Sequence, residues 1–139
     1  MNEPPFPAIV IRRAEPGDAK TLGAMRAAQQ SEIRGEVARA DDAEFVHTTS
    51  DFFARELAVE ATWLHAWVAV TDEGLTVGSV VLIVVPTIPR GAEAVGLDGR
   101  IRNVYVAPPF RRNGLARRLT LVAVERAREL GVGRLALGA

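Results

Sequence analysis

The run Asn103-Val104-Tyr105-Val106-Ala107-Pro108-Pro109-Phe110-Arg111-Arg112-Asn113-Gly114-Leu115-Ala116 decides how this chain folds. It joins a strand-like segment, Ile101 to Val106, to an amphipathic helical segment, Leu115 to Leu130. The order is therefore strand, Pro-containing turn, Gly-containing loop, helix. Such an order converges free backbone N–H groups on one point, because the first four N–H groups of a helix lack intrahelical partners and the helix dipole is positive there. Gly114 has no Cβ to keep a ligand away, and Ala116 keeps the first turn narrow. Arg111, Arg112, Arg117 and Arg118 add cationic charge, and a guanidinium can grip a phosphate through two parallel bonds. The stretch reads as a pyrophosphate cradle. The same spacing is also met by a helix that starts after a turn with arginines on its solvated face. Neither a G-x-x-x-x-G-K-[ST] loop nor a G-x-G-x-x-G fingerprint is present.

Outward from this run, apolar residues Leu115, Leu119, Val122, Ala123, Ala127 and Leu130 fall on one helix face. Gly131 is placed to cap that helix, and Arg134 to Leu137 reads as a last strand. Towards the N-terminus, residues 1–7 are Pro-rich and read as a flexible arm. Ala8 to Arg13 forms a first strand with Ile9 and Ile11 on one face. Pro16 suits the first turn of a helix and Asp18 complements its dipole. Leu22, Met25 and Ile33 give that helix a sparse apolar stripe, which Gly35 and Asp41-Asp42 end. Ser50-Asp51 reads as the start of a second helix, with Phe53 and Leu57 on one side. Ala66 to Thr71 is a strand and Asp72-Glu73-Gly74 a hairpin turn. Leu75 to Val85 suits a strand buried on both faces. Pro86 to Gly99 reads as a loop and Arg100 to Val106 as the next strand. The resulting order is β-α-α-β-β-β-α-β, an α/β (α+β) fold with a mixed central β-sheet flanked by helices. Its last strand–helix–strand crossover should be parallel and right-handed.

Composition narrows the function classes. At 139 residues one domain over residues 8–139 is the simplest organisation. Lys plus Arg balances Asp plus Glu at 17 each, which argues against a dedicated nucleic-acid binder. The absence of Cys excludes disulfides, a thiolate nucleophile and Cys-ligated zinc. The start, Met1-Asn2-Glu3-Pro4-Pro5, lacks the features of a signal peptide. The longest apolar run, Val80 to Val85, is too short to span a bilayer. The expectation is a cytoplasmic protein with neither nucleic acid nor membrane as partner.

The quoted run resembles the acetyl-CoA signature of the GNAT acyltransferase superfamily, aliphatic-x-Val-x-Pro-x-aromatic-[Arg/Gln]-x-x-Gly-x-[Gly/Ala], and meets every fixed position. Ile11-Arg12-Arg13-Ala14-Glu15-Pro16-Gly17-Asp18 is similar to that superfamily's first strand and turn into its first helix. The resemblance spans about residues 9–139 and is strongest over 101–131. It implies transfer of an acetyl or other acyl group from acetyl-CoA to an amine through a ternary complex, with no metal. It also implies that the strands on either side of the signature helix splay to admit the pantetheine arm, which would pair with the backbones of Val104 and Val106. The Val104 N–H would then polarise the thioester carbonyl. The backbone of Arg112, Asn113, Gly114, Leu115 and Ala116 would hold the pyrophosphate, with Arg111 and Arg112 beside it.

The resemblance leaves acid–base chemistry open. Some family members carry a Glu about four residues before the Val104 position, where this chain has Arg100. Asp98 is the nearest substitute for a base, in what reads as a Gly-flanked turn. Tyr105 alternates away from Val104 and Val106 and reads as a packing aromatic. Glu44 and His47 fall where family members often shape the acceptor pocket, though a solvated loop explains them as well. His65 stands alone before a strand. His47 and His65 lack H-E-x-x-H context, so no metal site is expected, and Ser31, Ser50 and Ser79 lack a G-x-S-x-G elbow. Family members continue past the final strand into another helix and two strands, which usually carry a Tyr that protonates the leaving thiolate. This chain stops at Gly138-Ala139. Three expectations compete: a shortened chain, a homodimer whose second subunit covers the open edge, or a non-catalytic acyl-CoA-binding module.

Overall fold

The computed structural model describes residues 8–34, 42–59, 63–89, 91 and 96–138. The arm assigned to residues 1–7, and the break assigned to Gly35 and Asp41, lie outside them. The elements run β1 (Ile9–Arg13), α1 (Ala19–Arg34), α2 (Asp42–Ala58), β2 (Leu64–Thr71), β3 (Thr76–Thr87), β4 (Gly96–Val106), α3 (Leu115–Glu129) and β5 (Arg134–Leu137). Short 3-10 turns, Pro16–Asp18 and Pro108–Phe110, precede α1 and α3. The order matches the pattern read from the sequence.

The five strands form one mixed sheet in the order β1-β2-β3-β4-β5. The first three pairings are antiparallel and β4–β5 is parallel. Both faces are covered. On one, Trp67, Ala69, Val80, Leu82 and Ile101 meet Leu115, Leu119, Ala123 and Ala127 of α3. On the other, Leu64, Ala66, Val68 and Val81 meet Leu22 of α1 and Phe53 of α2. Burial on both faces explains why β2 and the middle of β3 are almost continuously apolar. Gly23 lets α1 approach α2 closely: a Cβ there would collide with Ser50 Oγ and lie 2.9 Å from the Val46 carbonyl oxygen.

Two local readings are corrected. The second helix begins at Asp42, not at Ser50-Asp51, so Ser50 is an interior residue facing Gly23. The apolar positions Phe45, Val46, Phe52, Phe53 and Leu57 sustain helical spacing through the false start. The stretch assigned as a loop over Pro86–Gly99 contains the end of β3 and the start of β4, with Pro86 paired to Leu97 and Val85 to Asp98. Proline is tolerated there because β2 pairing ends at Leu64↔Ile83, so this end of β3 has a free side. Gly99 belongs to a close approach rather than a turn, since a Cβ would come within 2.9 Å of Leu135 Cδ1.

The entry to α1 is locally encoded. Arg12 makes two parallel bonds to Asp18, Nη1 to Oδ2 at 2.8 Å and Nη2 to Oδ1 at 3.0 Å, and the Glu15 N–H donates to Asp18 Oδ2 at 2.7 Å. The bond from Arg12 comes first among the causes that hold the Asp18 carboxyl below its ordinary value. A depressed carboxyl contributes stability that is present above its unfolded value and is lost as pH falls through the folded one. Asp18→Asn should therefore destabilise near neutral pH by about 0.5 kcal/mol, discounted for solvent around the exposed Arg12. The difference from the parent should vanish in acid below the ordinary Asp range, as read by denaturant midpoints across pH.

Candidate functional site

The turn ahead of α3 takes its shape from two left-handed residues, Arg112 at φ 66° and Gly114 at φ 77°. Glycine adopts that conformation without strain. The Asn113 side chain closes the turn by donating Nδ2 to the Arg111 carbonyl at 2.9 Å. No side chain caps α3. Its first intrahelical bond, Arg118 N–H to the Gly114 carbonyl at 3.0 Å, lies beyond the amides of Leu115, Ala116 and Arg117. Beside them the turn is open, since a Cβ on Gly114 would meet nothing within 4 Å. Backbone turns of this kind form anion-binding concavities.

The four arginines part ways. Arg111 is committed to the protein: Nε donates to the Val106 carbonyl at 2.7 Å, Nη2 pairs with Glu32 at 2.9 Å, and the guanidinium lies 5.4 Å from the Tyr105 ring centroid. It ties the turn to β4 and α1 rather than presenting a loose cation. Arg118 donates to the Ile9 carbonyl at 3.2 Å. Arg112 and Arg117 are exposed beside the uncapped amides.

The strand leading to this turn carries a β-bulge. Ser79 pairs with Tyr105 but Val81 pairs with Arg102, so Asn103 and Val104 together oppose Val80. Asn103 sits at φ 56°, in the left-handed region, and its carbonyl accepts from the buried Ser79 hydroxyl at 3.2 Å. The bulge puts Arg102 and Asn103 both on the α1/α2 side, while Val104 and Val106 pack towards α3. The Ala107 N–H bonds the Val77 carbonyl across to β3. By strand alternation, the main-chain groups of Val106 and Val104 face the opposite edge. There the Val104 carbonyl accepts from Gln29 Nε2 at 3.1 Å. Pairing with β5 stops at Ile101↔Leu137, followed by the Gly138 N–H to Ile101 carbonyl bond. Beyond it a groove of about 450 Å³ opens, lined by Gln29, Val104, Ala116, Arg117, Thr120 and Leu137. Val104 of β4 and Ala116 and Arg117 of the first turn of α3 thus line the same groove.

The acid–base candidates do not gather there. Asp98 lies in β4, opposite Val85 and Arg134, not in a turn. Val104 lies six positions further along the strand, about 20 Å away. Glu44 and His47 are exposed on α2 rather than in a loop, and His47 Nε2 lies 3.4 Å from Asp51. His65 is buried in β2, with its Nδ1 3.4 Å from Arg13. Among the described residues no group of three His, Asp or Glu could hold a metal ion, and no helix is long and apolar enough to cross a membrane. Gln29, Arg26, Arg102 and the bulge escaped the sequence reading. Asn103 was the available signal, because Asn is depleted in strands and tolerates a left-handed conformation.

Comparisons with known proteins agree with this architecture. No curated protein sequence matches the chain. A GCN5-related N-acetyltransferase from Ralstonia eutropha superposes with a TM-score of 0.78 at 23% identity, over 95% of this chain and 84% of that one. A predicted acetyltransferase from Clostridium acetobutylicum, solved with acetyl-CoA, gives 0.76 at 23%, over 95% and 81%. Glucosamine-6-phosphate N-acetyltransferase from Arabidopsis thaliana gives 0.68 at 20%, over 95% and 82%. At these identities the likeness is one of fold. The sequence profile of the acetyltransferase (GNAT) family matches residues 30–139, and with that match over most of its length the chain belongs to the GNAT acetyltransferase family.

Proposed function

We propose that this chain binds acetyl-CoA along the open edge of β4 and transfers its acetyl group to a primary amine. The observation that carries the reading is the uncapped end of α3, where the amides of Leu115, Ala116 and Arg117 meet the tightly wound turn at Arg112 and Gly114. These amides hold the diphosphate, with Arg112 and Arg117 as flanking cations. The main chain of Val104 and Val106 pairs with the pantetheine amides in the groove. Gln29 occupies one lone pair of the Val104 oxygen and Arg111 Nε one of the Val106 oxygen, and a carbonyl oxygen has a second.

Acetyl-CoA supplies the acetyl group as an activated thioester. The protein's contribution is positional: the groove holds the acyl end at the bulge, and the Val104 N–H stabilises negative charge on the carbonyl oxygen as an amine attacks. One preorganised donor of this kind contributes about 3 kcal/mol of barrier lowering, and holding amine and thioester in contact supplies much of the rest.

Calorimetric titration with acetyl-CoA, paired with an assay of thiol release in the presence of amines, tests the reading. Binding with release supports transfer, and binding without release on a broad amine panel would reduce the chain to an acyl-CoA-binding module. Arg112→Ala should weaken acetyl-CoA by about 5-fold, roughly 1 kcal/mol, because the backbone amides remain. An unchanged Kd would remove Arg112 from the site.

A further inference from the structure

A second cavity, about 230 Å³, lies on the α1/α2 side of the bulge and is lined by Arg26, Arg102, Asn103, Thr49, Phe52 and Phe53. Its lining adjoins that of the β4 groove along the chain. Asn103 lines one and Val104 the other, and Arg26 stands one turn before Gln29 on α1. An amine that attacks a thioester held at Val104 must come within about 3.5 Å of its carbonyl carbon, and this cavity is lined by the residue next to it, Asn103.

Its electrostatics are unusual for a structural pocket. Two guanidinium groups share it, and like charges in a partly desolvated space repel. Burial, then the charges of Arg102 and Arg34, hold the Arg26 guanidinium below its ordinary value. Among the described residues neither Arg26 nor Arg102 forms an ion pair; Arg26 Nη1 donates to the neutral Asn103 Oδ1 and, at 3.5 Å, to Gln29. Among the carboxylates of these helices, Glu32 pairs with Arg111, Glu56 accepts from Trp63 Nε1 and Asp51 lies beside His47. The Arg102 guanidinium also lies near Gly138 at the end of β5, where a Cβ would collide with Nη1. Two guanidinium groups at one cavity, with no ion pair among the described residues, suit an anion, and Phe52 and Phe53 supply an apolar wall.

Resting on the acetyl-transfer reading above, we propose that the acceptor is a small amine bearing an anionic group, a carboxylate or a phosphate monoester, which Arg26 and Arg102 hold while the amine faces Val104. Specificity then comes from bidentate capture of the anion, and the limited volume keeps the acceptor small.

The test uses matched pairs with acetyl-CoA: 4-aminobutyrate against butylamine, and O-phosphoethanolamine against ethanolamine. The anionic member of at least one pair should have a kcat/KM about 10-fold higher or more, and which pair responds separates carboxylate from phosphate. Arg102→Gln should collapse that preference through KM for the anionic amine, leave the acetyl-CoA Kd unchanged, and leave Tm unchanged or raised because a like-charge contact is relieved. Arg26→Lys, which keeps the charge and loses the fork, should lose part of the preference. Equal kcat/KM within both pairs, a preference that survives Arg102→Gln, or a lowered Tm with both amines equally impaired would overturn the proposal. If no amine turns over, calorimetry with 4-aminobutyrate and O-phosphoethanolamine decides: binding lost in Arg102→Gln supports it, and no binding overturns it. Failure of acetyl-CoA to bind rejects the transfer reading instead, and the anion titration still judges this cavity separately.

Discussion

Gly114→Asp should raise the Kd for acetyl-CoA by about 100-fold, equivalent to about 2.7 kcal/mol, while the protein stays folded. Gly114 stands at φ 77°, immediately before the amides of Leu115, Ala116 and Arg117. An L-residue there costs about 1 kcal/mol of backbone strain, and its Cβ meets no neighbouring atom. The fold therefore has room for the change. The ligand does not: the new carboxylate stands at the proposed diphosphate seat, where a helix end favours anions only while no other negative charge occupies it. Gly114→Asn separates the two effects, because Asn tolerates the same φ and matches Asp in shape without its charge. It should retain most of the affinity. Raising ionic strength should narrow the gap between the two variants by screening the carboxylate. Calorimetry that finds Gly114→Asp binding acetyl-CoA like the parent would remove the diphosphate from this turn.

Leu119→Ala should lower stability by about 3 kcal/mol, with a fall in Tm of about 10 °C by circular dichroism. Leu119 is fully buried at 0% exposure, in the cluster where α3 packs on the sheet. Its Cδ1 lies so close above Gly78 that a Cβ on that glycine would be 3.0 Å away. The glycine lets the leucine sit against the backbone of β3, so truncation leaves a void that rigid strands cannot collapse to fill. The uncapped amides are a turn N-terminal to this contact and remain in place. At temperatures where the variant is folded, acetyl-CoA should bind within about threefold of the parent and raise Tm by mass action. A fall in Tm of less than about 2 °C would mean that α3 is held chiefly by its other contacts.

These two variants separate what was legible in the residues from what was not. Leu115, Leu119, Ala123 and Ala127 could be placed on the buried face from spacing alone, and they are the buried residues of α3. Gly131 could be assigned as its cap. The structure shows it at φ 79°, with its N–H bonded to the Arg128 carbonyl and the Val132 N–H bonded to the Ala127 carbonyl. Such features depend on contacts a few residues long, which neighbouring side chains encode directly. By contrast, Ser50-Asp51 resembles a helix start by the same local rules, yet α1 packs across it through Gly23 and α2 runs straight through. Asp98 between glycines resembles a turn, yet β3 and β5 pair on either side of it. In both places partners distant in sequence outweigh a local preference of about 1 kcal/mol or less.

The amino-acid sequence alone determined the order of elements, the buried stripe of α3 and the wound turn that bares its first amides, because each is written within a stretch of some thirty residues or fewer. Only the tertiary structure decided what that turn borders. The bulge that sets Asn103 and Val104 opposite Val80, the turning of Val104 and Val106 to the open edge, and the meeting of Arg26 with Asn103 across 77 residues of chain all follow from how helices and strands pack. Their physical reason is shared. Backbone groups must find partners wherever the sheet offers them, and side chains far apart in sequence are brought together only when the layers close over the core.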